Sequence, residues 1–260
     1  LLINFLGYLI IFNRKLLAYK LATPPALQSV TSPHPGFPSM TEYILKSPPV
    51  CSLQAEEAFR ALSLTEKKYV KSAYESSWIG GLIDLIQTSP ESAGIFILFQ
   101  RIFRIESPED VCRAARAAGL DELECDNAFA YIAMFYANLG NYKSFGDSKF
   151  IPALPEERFS ILVSSTKSFK DPSSGVSSLW SSLVPAIYSL NPRRLRLDFG
   201  PSAGITTYYS SNCTREDAKI VEGYFRATRT EGYNTRLFKK IEDGKQIYLL
   251  KYASAEEKSI

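Results

Sequence analysis

At Asn191-Pro192 the apolar residues of this 260-residue chain change their period. From Ser52 to Leu190 they recur at helical spacing. Beyond Asn191, Leu195, Leu197 and Phe199 alternate with Arg196 and Asp198, which is the period-two spacing of a strand. A run of helices followed by a run of strands is the pattern of an α+β fold, helices first and then part of an antiparallel barrel or sheet. Residues 52–190 are read as the helical part and 191–253 as the β-rich part of one folded region spanning 40–260. Residues 1–39 carry an apolar run and then a Pro- and Ser-rich stretch; they are expected to be a disordered or non-native extension outside the fold.

Local signals subdivide the helical part. A first helix is expected from Ser52. Ser63-Leu-Thr-Glu66 is a capping box, in which serine accepts from the backbone of the glutamate and the glutamate reaches back, and the helix it opens should run to about Gln87. Gly80-Gly81 inside it predicts a kink or a close backbone contact. Ser89-Pro90 and Ser107-Pro108 repeat one device, a serine cap with proline where the missing amide costs nothing. The second helix of that pair should stop at Gly119. Asp121 with Glu124 caps the next, which Gly140 ends. Another runs from Leu154 to about Lys167, a polar connector covers 168–175, and Leu179 to Leu190 form a helix that Pro185 should kink. In the β-rich part, strands are predicted over 195–199, 204–210, 235–241 and 246–252. A short helix capped by Thr214 and Asp217 precedes the last two, and Asp243-Gly244 supplies their tight turn.

Between the helices lies Gly140-Asn-Tyr-Lys-Ser-Phe-Gly-Asp-Ser-Lys-Phe-Ile-Pro152, an abrupt polar and aromatic interruption of the kind that carries function on a rigid scaffold. Bulk composition excludes several chemistries. Residues 1–41 hold Arg14, Lys15 and Lys20 and no acid; removing those three from the 30 basic residues leaves 27, equal to the 27 acidic ones. A neutral body argues against a nucleic-acid surface. The single histidine, His34, lies between two prolines, so neither a two-histidine zinc helix nor a histidine-assisted nucleophile can be completed in its usual form. Cys51, Cys112, Cys125 and Cys213 form no Cys-x-x-Cys pair and read as reduced thiols of a cytoplasmic protein. The apolar start is too short to cross a bilayer, so no membrane partner is expected.

Several stretches, in order, resemble the N-terminal lobe of dipeptidyl peptidase III: Glu56-Ala58-Phe59-Arg60, Trp78 with Gly80-Gly81-Leu82, Gln87-Thr-Ser-Pro-Glu91, Asn138 through Phe150, Gly204-Ile-Thr-Thr-Tyr-Tyr209, Asn212-Cys-Thr214 with Glu216-Asp-Ala-Lys219, and Tyr233-Asn-Thr-Arg-Leu-Phe-Lys239. The resemblance covers about residues 41–254. It implies a two-lobed zinc exopeptidase that releases dipeptides from the amino terminus of oligopeptides. In that family zinc sits on an H-E-x-x-G-H helix of the helical lobe, and peptide binds along a β-barrel in the other lobe. The chain departs from the family in lacking that helix, so it is expected to be a fragment that binds no metal and is inactive alone. Its implied partners are an oligopeptide substrate and the missing C-terminal catalytic lobe. Only the loop is carried over: Phe145 matches a substrate-lining aromatic and Tyr142 is its companion, with loop packing as the alternative for both. The rival reading is a non-catalytic peptide-binding or scaffolding module that uses an open sheet edge.

Overall fold

The computed structural model describes residues 43–44, 55–200, 204–233 and 235–252. The extension 1–39 with His34, and the expected helix start at Ser52, lie outside these residues. The chain is mostly helical and ends in a two-stranded antiparallel sheet. The helices are α1 (Glu56–Ala61), α2 (Leu64–Thr88), α3 (Ser92–Phe103), α4 (Pro108–Ala117), α5 (Glu122–Asn138), α6 (Glu156–Ser165), α7 (Lys167–Lys170), α8 (Val176–Tyr188) and α9 (Arg215–Thr228); the strands are β1 (Thr235–Glu242) and β2 (Lys245–Tyr252). Among the described residues no helix is long and apolar enough to cross a membrane.

The capping signals act as read. Ser63 and Glu66 exchange their two bonds, Ser107 accepts from the Asp110 amide behind Pro108, and Asp121 and Glu124 form a reciprocal pair. Ser89-Pro90 is the exception: the serine hydroxyl accepts from the Ser92 amide, but the helix begins at Ser92, so Pro90 lies in the turn before it and not at its first position. Gly81 is the close contact: a Cβ there would stand 3.0 Å from Leu139 Cδ1, whereas Gly80 faces open space. The stretch 168–175 is more structured than a connector. Thr166 accepts from the Phe169 amide to start α7, and Asp171 caps a 3-10 turn over Pro172–Ser174.

The described residues belong to two compact units. The first draws on residues up to Lys67, Ile97–Ile132 and Pro152–Val184. Its core is an edge-to-face relay of rings, Phe99 to Tyr131 to Phe159 to Trp180, with the Trp180 indole donating to Ser160. Arg158 ties α6 to the start of α5 through Glu124 and to the Gly119 carbonyl.

The second unit comprises Lys68–Phe96, Ala133–Ile151 and Pro185–Ile260. Leu85, Ile95, Phe135, Tyr136, Phe150 and Ile187 are buried within it. A second cluster joins Cys213, Val221 and Leu237 to Tyr209, Phe225, Tyr248 and Leu250, packing α9 on the hairpin. The β1–β2 register runs from Thr235↔Tyr252 to Glu242↔Lys245, and Asp243 and Gly244 take the left-handed angles (φ 50° and 74°) of the tight turn. The two earlier predicted strands are corrected to isolated bridges: Arg196 to Ser148, Leu197 to Ile205, and Tyr209 to Leu237. Side chains take over the backbone bonds a ladder needs, as Thr206 Oγ1 accepts from the Tyr208 amide and Arg236 Nε donates to the Thr207 carbonyl. The sheet is therefore partial and open.

Candidate functional site

The loop after α5 is mounted rather than merely tethered. It starts where the chain passes hard against α2 and α3. A Cβ on Gly140 would fall 2.6 Å from Thr88 Cγ2, so only glycine fits. Asn141 follows, fully buried. Its Oδ1 accepts from the Ser89 and Ser92 hydroxyls at 3.0 and 3.2 Å, and its Nδ2 donates to Glu91 Oε1 at 3.0 Å. The other Glu91 oxygen faces the Arg194 guanidinium at 3.5 Å. The carboxylate at the head of α3 thus holds two loops in one buried network, in which each polar atom named is satisfied.

The arms of the loop then pair. Tyr142 bridges Lys149 in antiparallel fashion, the Lys143 amide donates to the Ser148 carbonyl, and the Phe150 amide to the Asn141 carbonyl. The returning arm is also bonded outward, from the Lys149 amide to the Leu195 carbonyl and from the Leu197 amide to the Asp147 carbonyl. Lys149 is fully buried, and its ammonium donates to the carbonyls of Ala186 and Ser189 at the end of α8, at 2.6 and 2.8 Å. A cation at a helix C-terminus satisfies orphan carbonyls and opposes the dipole. Burial nevertheless pushes its pKa down to about 8, with Glu91 partly offsetting that effect.

At the tip, Gly146 and Asp147 take positive φ (99° and 55°), and the Ser144 amide is held by Asn138 Oδ1 at 2.8 Å. Phe145 stands between them with 95% of its surface exposed. Tyr142 is at the other extreme, 1% exposed, with its hydroxyl donating to the Arg194 carbonyl at 2.9 Å. The two sequence-selected aromatics therefore sit at opposite ends of the loop. Asn141, Glu91, Lys149 and Arg194 were not singled out as site residues. Glu91 reads locally as an ordinary helix-start acid and Lys149 as an ordinary loop lysine. Their one signal was that both lie inside the stretches carrying the resemblance.

This arrangement presents a ring; it does not supply a nucleophile. Among the described residues no group of three His, Cys, Asp or Glu side chains could hold a metal, so the zinc implied by the resemblance finds no donor set here. Cys112, Cys125 and Cys213 are free thiols. Burial pushes Cys112 up to about 12 and raises Cys125, which keeps both in the unreactive protonated form.

Comparison with known proteins places the chain. Residues 179–260 match peptidase family M49. The "Dipeptidyl peptidase 3" of Nematostella vectensis is 44% identical over 218 residues, 82% of this chain and 30% of that protein. The chain belongs to the dipeptidyl peptidase III family. The Homo sapiens member is 42% identical over 216 residues and the Dictyostelium discoideum member 36% over 212, each matched over 29% of its length. The chain thus spans about 30% of the length of the family members it matches. The stretch matched to the peptidase family takes in α9 and the β1–β2 hairpin.

Proposed function

We propose that this chain supplies part of the substrate-cleft lobe of a zinc-dependent dipeptidyl peptidase, an enzyme that releases dipeptides from the amino terminus of oligopeptides. In this reading Phe145 is the substrate-facing side chain, and Tyr142 serves it from behind by fixing the arm of the loop. The zinc site and the rest of the catalytic apparatus belong to the part of the family protein that this chain does not match, and the chain alone is inactive. The free thiols accord with a reducing, cytoplasmic setting.

The observation that carries the proposal is the exposure of Phe145. Leaving a phenyl ring almost wholly in water forgoes ~2 kcal/mol of burial, yet a buried polar network holds the loop that displays it. A ring kept out of the core by such a mount is suited to cover an extended peptide. A second reading, a peptide-binding module without catalysis, is favoured by the open border of β2, which has β1 on one side and no strand on the other among the described residues.

Two measurements test the proposal. The purified chain with added zinc should show no dipeptidyl-naphthylamide hydrolysis; chelator-sensitive turnover would contradict its inactivity. A chimera in which this chain replaces the matching 218 residues of the Nematostella protein should be active. In it, Phe145→Ala should raise KM for oligopeptides roughly tenfold, the worth of one well-placed aromatic contact of about 1–1.5 kcal/mol. The melting temperature should stay unchanged, because the ring is already exposed. An unaltered KM would defeat the substrate-facing role. Oligopeptide binding by the chain alone, abolished by blocking β2, would favour the second reading.

A further inference from the structure

The last three turns of helix α2, from Trp78, are mostly apolar, and within the second unit only Gly81 and Leu85 of the helix are buried. Those two lie on one side, where Leu139 packs on Gly81. On the opposite side Ile79, Leu82, Ile83 and Ile86 follow the i, i+3, i+4, i+7 spacing that builds one ridge. Their exposures are 68, 40, 55 and 42%. Scattered exposed leucines need no explanation, but a continuous ridge of four on one helix marks a surface built to be covered.

We infer that this ridge is an interface for polypeptide that the longer family members carry outside the segment matched here. Three observations select that occupant. A ridge of branched aliphatic side chains suits the groove of another helix or the face of a sheet, not a polar ligand. Among the described residues the same unit is open a second time, at the border of β2, so two of its surfaces can take further polypeptide. The family members are about three times as long as the matched segment, so they contain the chain needed to cover both. The inference rests on family membership and is independent of the role given to Phe145.

Hydrogen exchange of peptides spanning residues 69–88 tests it, comparing this chain alone with the Nematostella chimera. Exchange in the chimera should be at least roughly tenfold slower, since a covered helix opens less readily. The double substitution Ile79→Glu and Ile83→Glu should leave the melting of the chain alone unchanged. In the chimera it should abolish the added protection and lower the melting temperature, while Phe145→Ala does neither. If the chimera does not fold, the same substitutions at the aligned positions of the Nematostella protein carry the test. Equal exchange in chimera and chain would overturn the inference. So would protection that grows with concentration in the chain alone, which would assign the ridge to a second copy. Faster exchange after removal of residues 1–40 would assign it to the N-terminal segment instead.

Discussion

Lys149 shows how one buried side chain can fix a loop at a measurable cost. Its amine holds two carbonyls of α8 while burial drives its pKa from 10.5 down to about 8. Between those values the unfolded chain binds more protons than the folded one, so stability should rise with pH across that window; below pH 8 the penalty is constant. Lys149→Met should remove the effect. Denaturant midpoints measured from pH 7 to 10 should show the parent gaining on the variant by up to ~1.4 kcal/mol per pH unit above pH 8. Asn141 is a simpler case. Asn141→Ala strips Glu91 Oε1 of its amide donor and two serine hydroxyls of their acceptor, and should cost about 2 kcal/mol in urea unfolding. A loss below ~0.5 kcal/mol would mean that water replaces the amide and that the network does not hold the loop.

Among the elements, the docking of α9 on the β1–β2 hairpin depends on one carboxylate. Asp217 closes the capping box with Thr214 and also accepts from Lys239 Nζ at 2.9 Å and from the Tyr248 hydroxyl. Burial opposes its charge, but those hydrogen bonds outweigh burial and hold its carboxyl far below the ordinary range. A carboxylate depressed in this way contributes stability above pH ~4 that is lost as the medium becomes more acidic. Asp217→Asn keeps the shape and removes the charge. It should lower stability at pH 7 by about 2–3 kcal/mol, as for a charge-assisted network, and flatten the acid limb of the unfolding curve. Thermal melts at pH 7 and pH 3 check both. The capping box was legible as Thr214-Arg-Glu-Asp217, because caps are written in adjacent residues. The partners Lys239 and Tyr248 were not, because they arrive from strands 22 and 31 residues away.

For the molecule as a whole, the border of β2, which carries no further strand among the described residues, sets the behaviour expected in solution. An unpaired strand border invites pairing with other chains, and the chain alone should scatter light increasingly with concentration. Leu249→Lys, a charge placed on β2 away from the Tyr248 and Leu250 packing face, should reduce that scattering without lowering the melting temperature. The sequence by itself determined that helices come first and a partial sheet last, the caps at Ser63, Ser107, Asp121 and Thr214, the tight turn at Asp243-Gly244 and the loop that bears Phe145. Each of these is decided within a few residues by hydrogen-bond geometry, hydrophobic period or permitted backbone angles. Tertiary structure alone decided that 195–199 and 204–210 remain bridges instead of strands, that Tyr142 goes in while Phe145 stays out, and that Glu91 and Arg194 meet across 103 residues. Those outcomes follow from which distant groups compete for the same backbone amides and the same buried volume, and that competition has no local signature.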